Sequence, residues 1–312
     1  MNKFEQVLDS GRPLILDGGL ATQLEAMGFD IGTSLWSAGV LSSNPRAIVD
    51  AHLAYLEAGA QCIISASYQA SRPGFMAHGM SADEADRMIV RAVELAKQAR
   101  EEFLAASGPP DAEPLVAASI GPYATALHDG SEYTGYDGVT DTELHEFQAP
   151  RLELLDACEA DVLAVETIPD ATEARVMCEL LKSASTPAWV TFCCRDERSL
   201  SDGSALRAAA ELYADHPKVL AVGINCTAPQ YVSSLIGEVR QAAPRKHIVV
   251  YPNSGEIYHS ATNSWSGTAC DLDADFAVDD WFAAGARLIG GCCRTGPADI
   301  AAIRARLLDR QD

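Results

Sequence analysis

The sequence predicts an α/β chain folded as a single-domain (β/α)8 TIM barrel across residues 1–312. Three observations carry that expectation. Eight short apolar runs recur along the 312 residues. They are near-continuous, not alternating, as expected of parallel strands covered on both faces. Helix-like patterning fills the segments between them, and no Pro/Ser linker, charge block or low-complexity tract divides the chain. An open doubly wound sheet is the rival, but no G-x-G-x-x-G follows the first apolar run.

In order, the predicted strands are Leu14–Asp17, Cys62–Ser67, Leu115–Ile120, Val162–Glu166, Trp189–Cys193, Leu220–Asn225, His247–Tyr251 and Arg287–Gly290. Asn44-Pro45 starts a helix after the first strand, with Asn as N-cap and Pro at the first helical position. Ile48, Val49, Leu53 and Leu56 form its inner face, and Gly59 stands where a C-terminal cap belongs. Ser81 with Glu84 has capping-box spacing ahead of Met88, Ile89, Val93, Ala96 and Phe103. Thr140 with Glu143 and Asp170 with Glu173 mark two further starts. The connections from Gly121 to Gly138 and from Ser254 to Asp275 are long. Both contain Gly, Tyr or Trp, and both are expected to lie over the active face as lids.

Composition narrows the function. Lys plus Arg total 23 and Asp plus Glu total 44, a net charge of −21. That balance opposes nucleic-acid and anionic-membrane partners, which need clustered positive charge. It suits solubility, and also attraction of a cationic substrate. Hydrophobic residues at 48% fit a folded chain, not a disordered one. No segment approaches the roughly 20 apolar residues of a membrane span. Met1 to Leu16 carries Glu5 and Asp9 and does not resemble a signal peptide, so the expected location is the cytosol, with reduced thiols. Nine cysteines then point to buried, catalytic or metal-binding use, not disulfides.

In a barrel, chemistry belongs at the carboxyl ends of the strands. Cys226 and the pair Cys292-Cys293 fall at the tips of strands six and eight. For neighbours 292 and 293 to share one ion, the chain must leave strand geometry, and Gly290-Gly291 is expected to permit that bend. Three thiolates and one open position match the ligand count of a catalytic zinc site, and a soft shell suits capture of another sulfur. Cys193-Cys194 lacks preceding glycines and is expected to be structural. The seven histidines show no ligand spacing. Asp17 and Glu166, at tips one and four, can grip an ammonium group through charge-assisted hydrogen bonds. Gly18-Gly19 can offer backbone N–H groups to a carboxylate. Together these residues describe a site for an α-amino acid zwitterion beside a thiolate-rich metal.

These motifs resemble those of the homocysteine S-methyltransferases. The likeness rests on residues 17–25 (Asp-Gly-Gly-Leu-Ala-Thr-Gln-Leu-Glu), 66–70 (Ala-Ser-Tyr-Gln-Ala), 129–133 (Asp-Gly-Ser-Glu-Tyr), 223–226 (Gly-Ile-Asn-Cys), 251–256 (Tyr-Pro-Asn-Ser-Gly-Glu) and 290–295 (Gly-Gly-Cys-Cys-Arg-Thr). It covers nearly the whole chain, and the last motif joined to the Asn-Cys turn is the most specific. The resemblance implies a homocysteine-binding barrel with Zn2+ on Cys226, Cys292 and Cys293. It implies homocysteine as fourth ligand through sulfur, with Asp17 and Glu166 at its amino end. Gly18, Gly19, Ser67, Asn225, Asn253 and Ser254 are the further expected substrate-binding positions.

The size of the chain resembles the branch of that family that uses S-methylmethionine or S-adenosylmethionine. Cobalamin-dependent relatives carry further domains. Betaine-using relatives carry a C-terminal extension and a tyrosine where this chain has Thr167. Tyr123, Tyr133, Tyr136 and Trp265 are candidates to face a sulfonium by cation–π contact. Two other function classes remain in view. A zinc hydrolase on the same face prefers His and carboxylate ligands. A non-enzymatic zinc or redox thiol protein would release metal on oxidation without methyl transfer.

Overall fold

The computed structural model describes residues 2–31, 37–107, 113–127, 129–259, 264–270 and 275–308. Its frame is a parallel sheet of eight strands, which we number β1 (Leu14–Ile15), β2 (Cys62–Ile64), β3 (Leu115–Ile120), β4 (Val162–Ile168), β5 (Ala188–Phe192), β6 (Val219–Asn225), β7 (His247–Tyr251) and β8 (Ala286–Ile289). Each strand pairs with its sequence neighbour, and β8 returns to β1. A parallel bridge between Leu16 and Cys62 closes the ring between β1 and β2. The predicted strands are all present. β1 and β2 stop short of Asp17 and Ser67, and β4 runs past Glu166 to Ile168.

Two cores follow from the alternation of side chains along each strand. Leu14, Leu16, Leu115, Ala117, Val162, Ala164, Trp189, Ala221, Val249 and Leu288 point inward and fill the barrel. Their neighbours Ile15, Val116, Leu163, Val190, Val222 and Ile248 face the surrounding helices. The N-terminal helix Lys3–Asp9 closes the amino end of the barrel. Its Phe4 ring packs 5.9 Å from Trp189, and Asn2 Nδ2 donates to the Asp161 carbonyl just before β4. At the carboxyl end the same inward register places Ser119, Glu166, Thr191, Asn225 and Tyr251, so the barrel is apolar below and polar on top.

The caps explain where the helices begin. Asn44 accepts from the Ala47 amide and starts Pro45–Glu57, which ends with Gly59 at φ 96°. Ser81 and Glu84 exchange capping bonds before Ala82–Ser107, as do Thr140 and Glu143 before Asp141–Asp156. Asp170 caps Ala171–Leu180, but Glu173 does not complete a box. Its carboxylate instead accepts from the Tyr123 amide, Gln148 Nε2 and Tyr136 OH, and so anchors the loop after β3. That loop forms two short helices, Ala124–Leu127 and Ser131–Thr134. The other long connection contains a small hairpin, Ile257–His259 with Ser264–Ser266. Residues 260–263 and 271–274 of that predicted lid, and His128 of the other, lie outside the described residues.

Candidate active site

β6 ends at Asn225, and Cys226 turns into the left-handed region at φ 47°. An L side chain rarely adopts that conformation without strong local support. Here the support is visible: the Cys226 amide donates to Tyr251 O, and the Cys226 carbonyl accepts from Asn253 Nδ2 at 3.1 Å and from Cys193 Sγ at 3.4 Å.

After β8 the chain leaves the ladder. It does so at Gly290-Gly291, as expected from sequence, although neither glycine is left-handed; the left-handed residue of the turn is Arg294, at φ 67°. The glycines are required by crowding. A Cβ on Gly291 would stand 2.2 Å from Thr295 Oγ1, and one on Gly290 would stand 2.7 Å from the Asp17 carbonyl. Cys292 N donates to Pro252 O, while the Cys293 carbonyl accepts from Ser254 N.

These two turns bring Cys226, Cys292 and Cys293 together. Their Sγ atoms all lie within 4.8 Å of one another, and Cys226 and Cys293 are 3.5 Å apart. Sulfurs bound tetrahedrally at a metal–sulfur length of about 2.3 Å stand about 3.8 Å apart, so the donor set fits one soft metal ion with a coordination position left over. Hydrogen bonds from the Cys226 and Cys292 thiols hold the Cys293 thiol well below its ordinary range. Cys193 is not part of the cluster: burial pushes its thiol up to about 12, and it supports the Cys226 carbonyl.

Glu166 is the top inward residue of β4. Ser119 Oγ donates to one of its oxygens and Tyr251 OH to the other at 3.1 Å. Burial raises its pKa to about 7. The register of β4 slips between Val165 and Ile168, with Thr167 left-handed at φ 63°. Such a bulge re-aims a side chain at a strand tip. Asp17 is 1% exposed. Its Oδ2 accepts from Ile64 N at 2.8 Å, while Oδ1 is buried with no partner among the described residues. Burial holds its pKa well above the usual carboxylate range.

An open-mouthed cavity runs from Glu166 to the sulfurs. Of the expected site residues, Cys226, Cys292, Cys293, Gly18, Gly19 and Glu166 line it. Asp17 sits behind that wall. Ser67, Asn225, Asn253 and Ser254 are also outside the lining. Ser67 Oγ donates to the Ser119 carbonyl, Ser254 Oγ donates to Glu256, and Asn225 and Asn253 hold backbone. The Gly19 amide donates to Thr295 O, which leaves it unavailable to a carboxylate.

Of the loop aromatics, Tyr133 reaches the centre: its hydroxyl is 3.3 Å from Cys226 Sγ, and its ring meets Trp265 edge-on at 6.2 Å. Tyr123 and Tyr136 pack against each other at 5.9 Å, outside the lining. Sequence reasoning did not assign roles to Ser119, Tyr251, Tyr68 and Glu132. For Ser119 and Tyr251 the available signal was parity with the inward residues of their own strands.

The sequence profile of the homocysteine S-methyltransferase family matches residues 14–307. The chain belongs to that family. Homocysteine S-methyltransferase YbgG of Bacillus subtilis is 44% identical over 98% of this chain and 98% of its own length. Homocysteine S-methyltransferase of Escherichia coli is 45% identical, also with 98% of each chain covered. The metallated crystal form of the homocysteine methyltransferase MmuM from Escherichia coli superposes with a TM-score of 0.87 at 43% identity, covering 98% of this chain and all of that one. As a homocysteine S-methyltransferase, this chain moves a methyl group to the sulfur of homocysteine. No described helix is long and apolar enough to cross a membrane.

Proposed function

We propose that the protein transfers a methyl group from a sulfonium donor, S-methylmethionine or S-adenosylmethionine, to homocysteine, giving methionine, with Zn2+ as the metal on Cys226, Cys292 and Cys293. The observation that carries the zinc assignment is the convergence of these three sulfurs within 4.8 Å on the wall of a cavity that Glu166 also lines. Three thiolates form a soft donor set that leaves a fourth position for the substrate sulfur. When bound, the ion supplies the positive charge that keeps the homocysteine sulfur deprotonated at neutral pH, where a free thiol with a pKa near 8.5 is mostly protonated.

The remaining work falls to the chain. Glu166, fixed by Ser119 and Tyr251, takes the ammonium end of homocysteine, with Asp17 Oδ1 behind it as a second buried acceptor without a partner among the described residues. A buried acceptor with no donor is costly, and an ammonium group relieves that cost. Tyr133, backed edge-on by Trp265, covers the Cys226 sulfur and limits water at the attacking atom.

The thiolate forms a bond to the methyl carbon as the carbon–sulfonium bond breaks, and the bonding pair stays with the departing sulfur. One anion and one cation become two neutral thioethers. Charge disappears in the step, so a dry site does not oppose it, and orientation supplies much of the acceleration. The proton lost when the thiol binds leaves before the transfer, so the step needs no general base. The test is to load the protein with zinc, supply homocysteine with each sulfonium in turn, and measure methionine. Transfer from neither sulfonium rejects the donor class, and full activity without zinc rejects the metal.

A further inference from the structure

We infer that Glu132 is the donor-specificity residue of this site, a carboxylate placed to recognise the positive charge of the sulfonium itself. The inference rests on the methyl transfer proposed above, which requires a cation and an amino-acid thiol to share one cavity.

Glu132 lies in the short helix Ser131–Thr134 of the loop after β3, beside Tyr133, and lines the same cavity as the cysteines. The loop is pinned there: the Glu132 carbonyl accepts from Ser201 Oγ at 2.9 Å. Glu166 and Asp17 are gathered at the barrel tips, where Ser119, Tyr251 and Ile64 N hold them. Among the described residues the Glu132 carboxylate has no side-chain hydrogen bond or ion pair; its own backbone amide is the donor that reaches it. Glu132 is partly buried, which raises its pKa, and the negative charges of Cys293 and Asp129 raise it further. A carboxylate in that setting lacks a cation, and the donor brings two that Glu166 and Asp17 do not take, its own ammonium and its sulfonium; the sulfonium is the one that must come up to the sulfurs on the wall that Glu132 shares. Tyr133 and Tyr68, also on the lining, supply aromatic surface to the same cation.

The chemistry fixes what such a contact can do. The sulfonium loses its charge as the methyl group leaves. A carboxylate facing it therefore favours the bound donor over the transition state and helps capture without helping transfer. Removing the charge weakens donor binding and leaves turnover at saturation equal or faster.

The experiment uses the zinc-loaded full chain and Glu132→Gln. The expected result is a donor KM raised about tenfold, as for loss of one charge-assisted contact, with kcat unchanged or higher and the homocysteine KM unchanged. Trimethylsulfonium, which carries the sulfonium charge and no ammonium group, should inhibit the wild type and lose potency by a similar factor in the variant. An unchanged donor KM, a raised homocysteine KM, or trimethylsulfonium inhibition insensitive to the substitution overturns the assignment. If the wild type moves no methyl group from either sulfonium, the underlying proposal fails instead, and that is seen before any variant is made.

Discussion

Asn225 holds Thr167 by both ends of its carboxamide: Oδ1 accepts the Thr167 amide at 2.8 Å, and Nδ2 donates to the Thr167 hydroxyl at 2.7 Å. The clamp joins the tips of β4 and β6, and each tip carries a left-handed non-glycine residue, Thr167 at φ 63° and Cys226 at φ 47°. One neighbour of the clamp is Glu166, the other Cys226 of the three-sulfur cluster. Asn225 is fully buried and outside the cavity lining, so it acts by fixing the geometry of both.

Asn225→Ala should therefore loosen the metal site. The Thr167 amide loses its acceptor, and the strained backbone at Cys226 loses its neighbour's anchor. Loss of such outer support typically weakens metal binding by about 10- to 100-fold. Competition with a chromophoric chelator measures this, with circular dichroism confirming that the barrel persists. Unchanged affinity would mean that the cysteines hold their geometry alone.

Cys226→Ala should bind substoichiometric zinc and lose turnover, because two thiols cannot provide the three-sulfur set. Metal analysis and a methionine assay on one preparation decide it. Chelation of the wild type should abolish activity while helical circular dichroism survives, since the two apolar cores contain residues far from the ion. Collapse of the helical signal on chelation would make the metal structural.

Glu166 gives the pH dependence a definite sign. Its pKa is raised to about 7 from the ordinary 4.5, chiefly by burial. Only the ionised form grips an ammonium group, so homocysteine KM should fall as pH rises through about 7. For stability the sense is opposite. The contribution is complete below 4.5, where folded and unfolded chains are both protonated, and it is lost as pH rises through about 7. Glu166→Gln should raise homocysteine KM at pH 8 and flatten both profiles. A wild-type profile retained in the variant would assign the titration to another group.

Two glycines should respond with opposite signs. Gly237 lies within the helix Pro229–Ala242, and a Cβ there meets nothing within 4 Å. Gly237→Ala should stabilise the protein by about 0.5–1 kcal/mol in urea melts. Gly223 sits in β6, where a Cβ would stand 1.7 Å from the Val249 carbonyl. Gly223→Ala should cost more than about 3 kcal/mol or fail to accumulate as soluble protein.

Much of the barrel was legible along the chain, because the inward and outward positions of every strand are both covered. That double burial makes an apolar run stand out without any knowledge of its partners. The helix starts at Asn44, Ser81 and Thr140 were equally local, since a cap needs only residues within one turn. Asp170 with Glu173 shows the limit. The spacing suggested a reciprocal cap, yet Glu173 is drawn away by Tyr123, Tyr136 and Gln148 from other elements. The glycine pair before Cys292 shows it again: crowding by Thr295 and Asp17 is a property of neighbours that no local pattern records.

By itself the sequence determined the strand–helix repeat, the three sulfurs and the two carboxylates at strand tips, since parity and position within a repeat are carried by the chain alone. Tertiary structure alone decided which of these atoms share a cavity. It set Asp17, Ser67, Asn225, Asn253 and Ser254 behind the wall and brought Glu132 and Tyr133 onto it. The physical reason is that a barrel top is assembled from loops whose hydrogen bonds run between distant strands. Whether a polar side chain faces the ligand or props up a neighbouring backbone depends on where those partners stand.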